Sequence, residues 1–188
     1  MKSAHFALML LVIATTAQAE EFNIVHADKS TLGFVFKQMG VSVEGHFGKF
    51  SAQLKFDPAK PAAASAAIDI DLASIDAGSP EANDEVAGKQ WFSTKVFPNA
   101  RFVASAIRPL GGNRYEAVGK MTIKGKTQAI TAPFTFTAQG RTGSAEGALV
   151  IKRADFGIGE GQWADFDTVA NEVQIRFRLQ AEAGPAHK

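Results

Sequence analysis

The stretch "GKMTIKGKTQAITAPFTF", Gly119 to Phe136, decides how the rest of the chain is read. Met121, Ile123, Ile130, Ala132, Phe134 and Phe136 alternate with Lys120, Thr122, Lys124, Thr131, Thr135 and Thr137. Period 2 is the signature of a strand with one buried face, because successive side chains leave a strand on opposite sides. Gly125 stands between the two halves as a turn signal. The spacing therefore predicts two short antiparallel strands sharing one apolar face. That face has to cover either core side chains or a molecule the protein carries.

The same alternation recurs in both directions along the chain. Leu32, Phe34 and Phe36 share a face, as do Phe50, Ala52, Leu54 and Phe56. Ile68, Ile70 and Leu72 alternate with Asp69 and Asp71, and Phe102, Ala104 and Ala106 repeat the pattern more weakly. Downstream of the Tyr115–Phe136 hairpin, Leu149 and Ile151 share a face. The last strand sets Val173, Ile175, Phe177 and Leu179 against Gln174, Arg176, Arg178 and Gln180. Together these predict eight strands, separated by turn signals at Asp57-Pro58, Gly111-Gly112-Asn113, Gly125 and Gly140 to Gly143. One exception, "SPEANDEVAGKQWFSTKVFPNA", lies between the third and fourth of them. Ser79 can cap a short helix there, with Pro80 at its first position and Glu81, Asp84 and Glu85 near its positive end. The following loop offers Trp91, Phe92 and Phe97 as apolar anchors. The fold class is all-β and antiparallel, and periodicity leaves a sandwich and a closed barrel equally open.

The chain has 188 residues, enough for one domain with a real core. Its start, "MKSAHFALMLLVIATTAQAEE", carries Lys2, an apolar run from Phe6 to Ala14 and the small-residue triplet Ala17-Gln18-Ala19. This is the layout of a secretory signal peptide over residues 1–19, with a run too short to span a bilayer. The predicted organisation is a signal peptide followed by one exported domain over residues 20–188. Without Lys2 the chain carries 19 basic and 19 acidic residues, so charge recruits neither nucleic acid nor an anionic membrane. The absence of cysteine rules out a thiol nucleophile, a Cys-ligated zinc and an iron–sulfur cluster.

The remaining inventory of chemistry is sparse. His26 and His46 have no metal-ligand spacing, and no metal site is expected. Asp69/Asp71 and Asp165/Asp167 each share a face at strand spacing, an arrangement that can serve acid–base work. The first pair reads better as a solvated outer face and the second as ordinary loop carboxylates. "GIGEG", Gly157 to Gly161, alternates glycines without opening a helix, and it reads as a loop rather than a phosphate cradle. Phenylalanine is what the chain has in excess, 15 against one tyrosine and two tryptophans. Such a supply stabilises a disulfide-free core or lines a pocket for an apolar ligand.

Five segments in order resemble the YceI-like family, exported bacterial proteins with a lipocalin-like barrel that bind polyisoprenoids. They are "STLGFVFKQMGVSVEGHFGKFSAQLKFDP", "IDIDLASIDAGSPEANDEVAGKQWFSTKVFPNARFVAS", "GKMTIKGKTQAITAPFTF", "IKRADFGIG" and "NEVQIRFRLQAE". Many relatives have His where Gln38 stands, and the loop "EGQWADFDTVA" is longer than in the plainest members. The resemblance implies an eight-stranded lipocalin-like barrel with a short helix and loop inserted between strands 3 and 4. It implies a carrier for a long-chain isoprenoid lipid, including an isoprenoid quinone, held without covalent catalysis and without a cofactor. Parity then assigns Phe34, Phe36, Leu54, Ile70, Phe102, Met121, Ile123, Phe134, Phe136, Ile175 and Phe177 to the lumen, while Trp91, Phe92, Phe97 and Trp163, which come from the two irregular segments, are the candidates for its mouth or lid. The family's link with inner-membrane b-type cytochromes suggests a second role, a filled barrel docking a partner through loops 78–98 and 156–168. A lipid-transforming enzyme using His46, Asp165 or Asp167 has the least support, and a homodimer is left open.

Overall fold

The computed structural model describes residues 20–185, so the signal-peptide expectation over residues 1–19 lies outside the described residues. The opening stretch is a hairpin of β7 (Arg114–Ile123) and β8 (Lys126–Gln139), with Ile123 opposite Lys126. Its two-residue loop has φ of 49° at Lys124 and 74° at Gly125. Positive φ at both positions matches the right-handed twist of the flanking strands. Around this hairpin the chain adds β1 (Phe22–Gln38), β2 (Val41–Phe47), β3 (Phe50–Lys55), β4 (Ser65–Asp71), β5 (Ile75–Asp76) and β6 (Asn99–Gly111) before it. After it come β9 (Thr142–Lys152) and β10 (Glu172–Ala183). One helix, α1 (Pro80–Ala87), and four short 3-10 turns complete the described chain.

All pairings are antiparallel, in the order β3-β4-β6-β7-β8-β9-β10-β1-β2-β5, and the sheet curls into a half-barrel. β1 runs the length of the molecule and serves two neighbours. Beyond a register shift between His26 and Thr31 it pairs with β2; before that shift its start reaches the far flank. There the amides of Phe22 and Phe56 donate to each other's carbonyls at 2.8 and 3.0 Å. The irregularity bends the strand enough to allow both, as bulges do. Ser30 fills the break, its Oγ donating to the His26 carbonyl at 2.6 Å and accepting from the Gln180 amide at 2.9 Å.

The structure corrects the expectation of eight strands to ten. The two additional strands are β2, "VSVEGHF", and β5, only two residues long. In β2 only Phe47 is buried, so the strand has no continuous apolar face, and its pairing comes from the Met39–Gly40 turn that folds it back on β1. The helix therefore lies between β5 and β6, the fifth and sixth strands, rather than between strands 3 and 4. It starts where Ser79 was expected to cap it: Ser79 Oγ accepts from the Ala82 amide at 3.2 Å, with Pro80 at the first position.

The two ends of the curled sheet differ. One is packed with rings: Phe136 meets Phe22 at 4.9 Å and Phe56 at 4.8 Å between centroids, Phe56 meets Tyr115 at 5.1 Å, and Tyr115 stacks on Phe134 at 5.5 Å. Such aromatic pairs add ~0.5–1.5 kcal/mol each beyond burial. The other end gathers the Met39–Gly40 turn, α1, the 88–98 loop, the Lys124–Gly125 turn and the segment from Arg153 to Asn171.

Candidate functional site

Inside the curl lies a cavity of about 490 Å³. The register that sets one apolar residue opposite another also builds its wall. Phe34 faces Ile175, which faces Leu149; Leu54 faces Ala66, and Phe102 faces both Ile68 and Met121. Ala117 faces Ala132 across β7 and β8, so two small side chains meet on the cavity wall. Ala82 and Val86 of α1, with Trp91, Phe92, Ile158 and Trp163, continue the lining at the loop end. The polar lining residues Gln38, Glu81, Glu85, Arg101 and Arg153 also belong to that end, which is its mouth.

Phe34, Phe36, Leu54, Ile70, Trp91, Phe92, Phe102, Met121, Ile123, Phe134, Phe136, Trp163, Ile175 and Phe177 all line this one space. Phe97 does not. It sits outside the wall against the β7–β8 turn, where a Cβ added to Gly125 would lie 3.0 Å from its ring. An irregular segment has no parity to say which of its aromatics turn inward, and this one anchors the loop to a hairpin instead. Sequence reasoning also missed Phe47, Ile75 and Val86, which reach the cavity from β2, β5 and α1.

The mouth is a set of loops fastened to one another. Trp163 Nε1 donates to Glu85 Oε1 at 2.6 Å, tying the 161–163 turn to α1. The Gly159 and Glu160 amides both donate to the Gln90 carbonyl, at 2.9 and 2.8 Å. "GIGEG" is therefore a strap packed across the mouth. Arg153 is 1 % exposed and sends all its guanidinium N–H groups to backbone carbonyls: Nε to Ala170, Nη1 to Ile158 and Gly159, Nη2 to Trp163 and Val169. Burial pulls its pKa below the ordinary arginine value, yet a guanidinium stays charged.

Lys124 pins the strap to the hairpin turn. Its Nζ donates to the Gly157 carbonyl at 2.7 Å and to Glu160 Oε2 at 2.9 Å. The hydrogen bond and charge of Lys124 hold the Glu160 carboxyl below the ordinary 4.5, with a smaller contribution from Lys126. A carboxyl whose folded pKa is depressed stabilises the fold above its unfolded value and loses that contribution as pH falls through the folded one. Acidification below about 4.5 is thus expected to loosen the strap. Hydrogen exchange at the Gly159 and Glu160 amides, corrected for intrinsic rates, should accelerate there in the native protein and not in Glu160→Gln. Equal acid dependence in both would show that the pair does not hold the strap.

Elsewhere, chemistry is thin. Among the described residues no group of three or more His, Cys, Asp or Glu is close enough to hold a metal. His26 meets Glu182 at 3.3 Å and His46 meets Asp76 at 3.8 Å, all four partly or fully exposed. Asp69 pairs with Arg101 on the outer face, Asp71 caps the turn after β4, and Asp165 accepts from the Asp167 amide at 2.9 Å.

A curled antiparallel sheet around an apolar cavity with a polar mouth defines the chain as an all-β cavity protein. It belongs to the YceI-like domain family, whose model matches residues 24–181. Among solved structures, BcnA of Burkholderia cenocepacia is 53% identical with a TM-score of 0.82, covering 84% of this chain and 99% of its own. A polyisoprenoid binding domain from Saccharophagus degradans, implicated in plant cell wall breakdown, shares the fold at 18% identity and a TM-score of 0.68, covering 88% of this chain and 99% of its own. A UPF0312 protein of Pseudomonas putida is 26% identical over 173 residues, 88% of this chain and 90% of its own length.

Proposed function

We propose that this chain is a periplasmic carrier that closes its sheet as a lipocalin-like barrel around the tail of a long-chain isoprenoid lipid, leaving the head at the mouth. One observation carries the reading: a cavity of about 490 Å³ whose wall is apolar except for polar lining groups that sit at one end. That volume falls in the range of small-molecule sites, and the segregation suits a ligand with an apolar body and a polar tip. The polyisoprenoid-binding domain with the same fold supports the ligand class. Export is supported by the leader pattern over residues 1–19. Binding needs no cofactor and no covalent step, so the lipid is expected to leave unchanged.

Native mass spectrometry of protein taken from the periplasm, beside mass spectrometry of its organic extract, tests this. The expected result is one isoprenoid lipid or isoprenoid quinone per chain, and a mature N-terminus at Glu20. An empty protein that also refuses added lipid would overturn it. That outcome would favour the docking role through loops 78–98 and 156–168, with an inner-membrane b-type cytochrome as first partner to test. A monomer or a homodimer would be read from the same spectrum.

A further inference from the structure

We infer that the mouth of the cavity contains a hydrogen-bonding subsite for an acceptor oxygen on the lipid head, with the Trp91 indole N–H as its donor. This rests on the lipid-carrier reading. Trp91 lines the cavity and is 8 % exposed. Its Nε1 is covered and, among the described residues, has no acceptor, so an oxygen in the cavity reaches it after a small turn of the indole. A sealed N–H without a partner is costly, and native proteins rarely keep one without a use for it. A phenylalanine would line the same wall without that cost.

The contrast with its neighbours sharpens the point. Trp163, whose ring centre is 5.6 Å away, donates its indole proton to Glu85. Arg153, whose Cζ lies 5.6 Å from the Trp91 ring centre, has committed every donor to carbonyls. Trp91 thus keeps an uncommitted donor where the other two have none. The Arg153 charge has no carboxylate among its hydrogen-bond partners, so the local field favours the negative end of a C=O or C–OH dipole. The ligand class this selects is an isoprenoid chain ending in a carbonyl or hydroxyl oxygen, over a hydrocarbon of equal length.

The test uses the whole mature protein labelled with 15N, and two C20 probes, geranylgeraniol and the hydrocarbon phytane. The chain has two tryptophans, so two indole N–H signals are expected, and Trp91→Phe or Trp163→Phe assigns them. Geranylgeraniol should move the Trp91 signal downfield while phytane leaves it near its free position. Trp91→Phe should weaken geranylgeraniol about tenfold, the scale of one buried hydrogen bond, and phytane less than about twofold. The same response of Trp91 to both probes, or an equal loss of both in Trp91→Phe, would reduce Trp91 to wall and overturn the subsite. Should Trp91→Phe fail to fold, the spectrum of the native protein decides alone. If neither probe binds the native protein, the carrier reading falls and the subsite with it.

Discussion

Arg153→Met should lower the unfolding midpoint by roughly 10 °C, the scale of ~3–5 kcal/mol in a domain of this size. Among the described residues the guanidinium is the only side-chain group that reaches five carbonyls spread from Ile158 to Ala170 at once, all within 2.7–3.1 Å. Trp91 and Phe166 lie 5.6 and 5.2 Å from its Cζ and add cation–π attraction. Methionine replaces the apolar stem but ends where the guanidinium begins, leaving those carbonyls to compete for whatever water can enter. Lysine keeps the charge with three donors and no planar fork, so Arg153→Lys should recover less than half of the loss. The chain around Arg153 is shaped to it: Gly159 has φ of 76°, and a Cβ there would come within 2.1 Å of Arg153 Nη1. Exchange protection should vanish first over residues 156–170 and persist in β6 to β8. A midpoint within about 2 °C of the native one would mean that water satisfies the carbonyls as well as arginine does.

Arg153 also shows where sequence reading stops. Parity carries Leu149 and Ile151 inward and Arg153 with them, a cation on an apolar face. Local pattern treats that as a contradiction. The structure resolves it with carbonyls from a loop whose conformation depends on three positive-φ glycines, at 157, 159 and 161. Strands with an apolar face, such as β7, β8 and β10, were legible because burial on one side imposes period 2. β2 and β5 were not, since one is mostly exposed and the other too short to show a period. Within the strands, the inward set follows from parity, and the registers then bring its members onto a single cavity. At the mouth, Phe97 and Trp163 come from irregular segments with similar composition, and only tertiary contacts separate the one that anchors a turn from the one that meets the cavity.

Ala132→Phe is expected to abolish lipid binding, by more than about a hundredfold, while the protein stays folded. Ala132 and its cross-strand partner Ala117 both line the cavity, and both are largely buried. In a filled core, a ring inserted at this position would force its neighbours off their rotamers and cost ~1–3 kcal/mol or more. In a lumen the ring occupies space the ligand would have used, and the apolar area it buries offsets the strain. The two possibilities therefore predict opposite pairs of results, which a single loss of binding could not distinguish. Native protein should melt higher in the presence of geranylgeraniol, by about 2.7 kcal/mol at a hundredfold excess over Kd, or roughly 5–10 °C. Ala132→Phe without lipid should melt within about 2 °C of the lipid-free native protein and gain nothing when lipid is added. A variant that melts far lower yet keeps its response to lipid would place the ligand elsewhere and make this apolar face ordinary core.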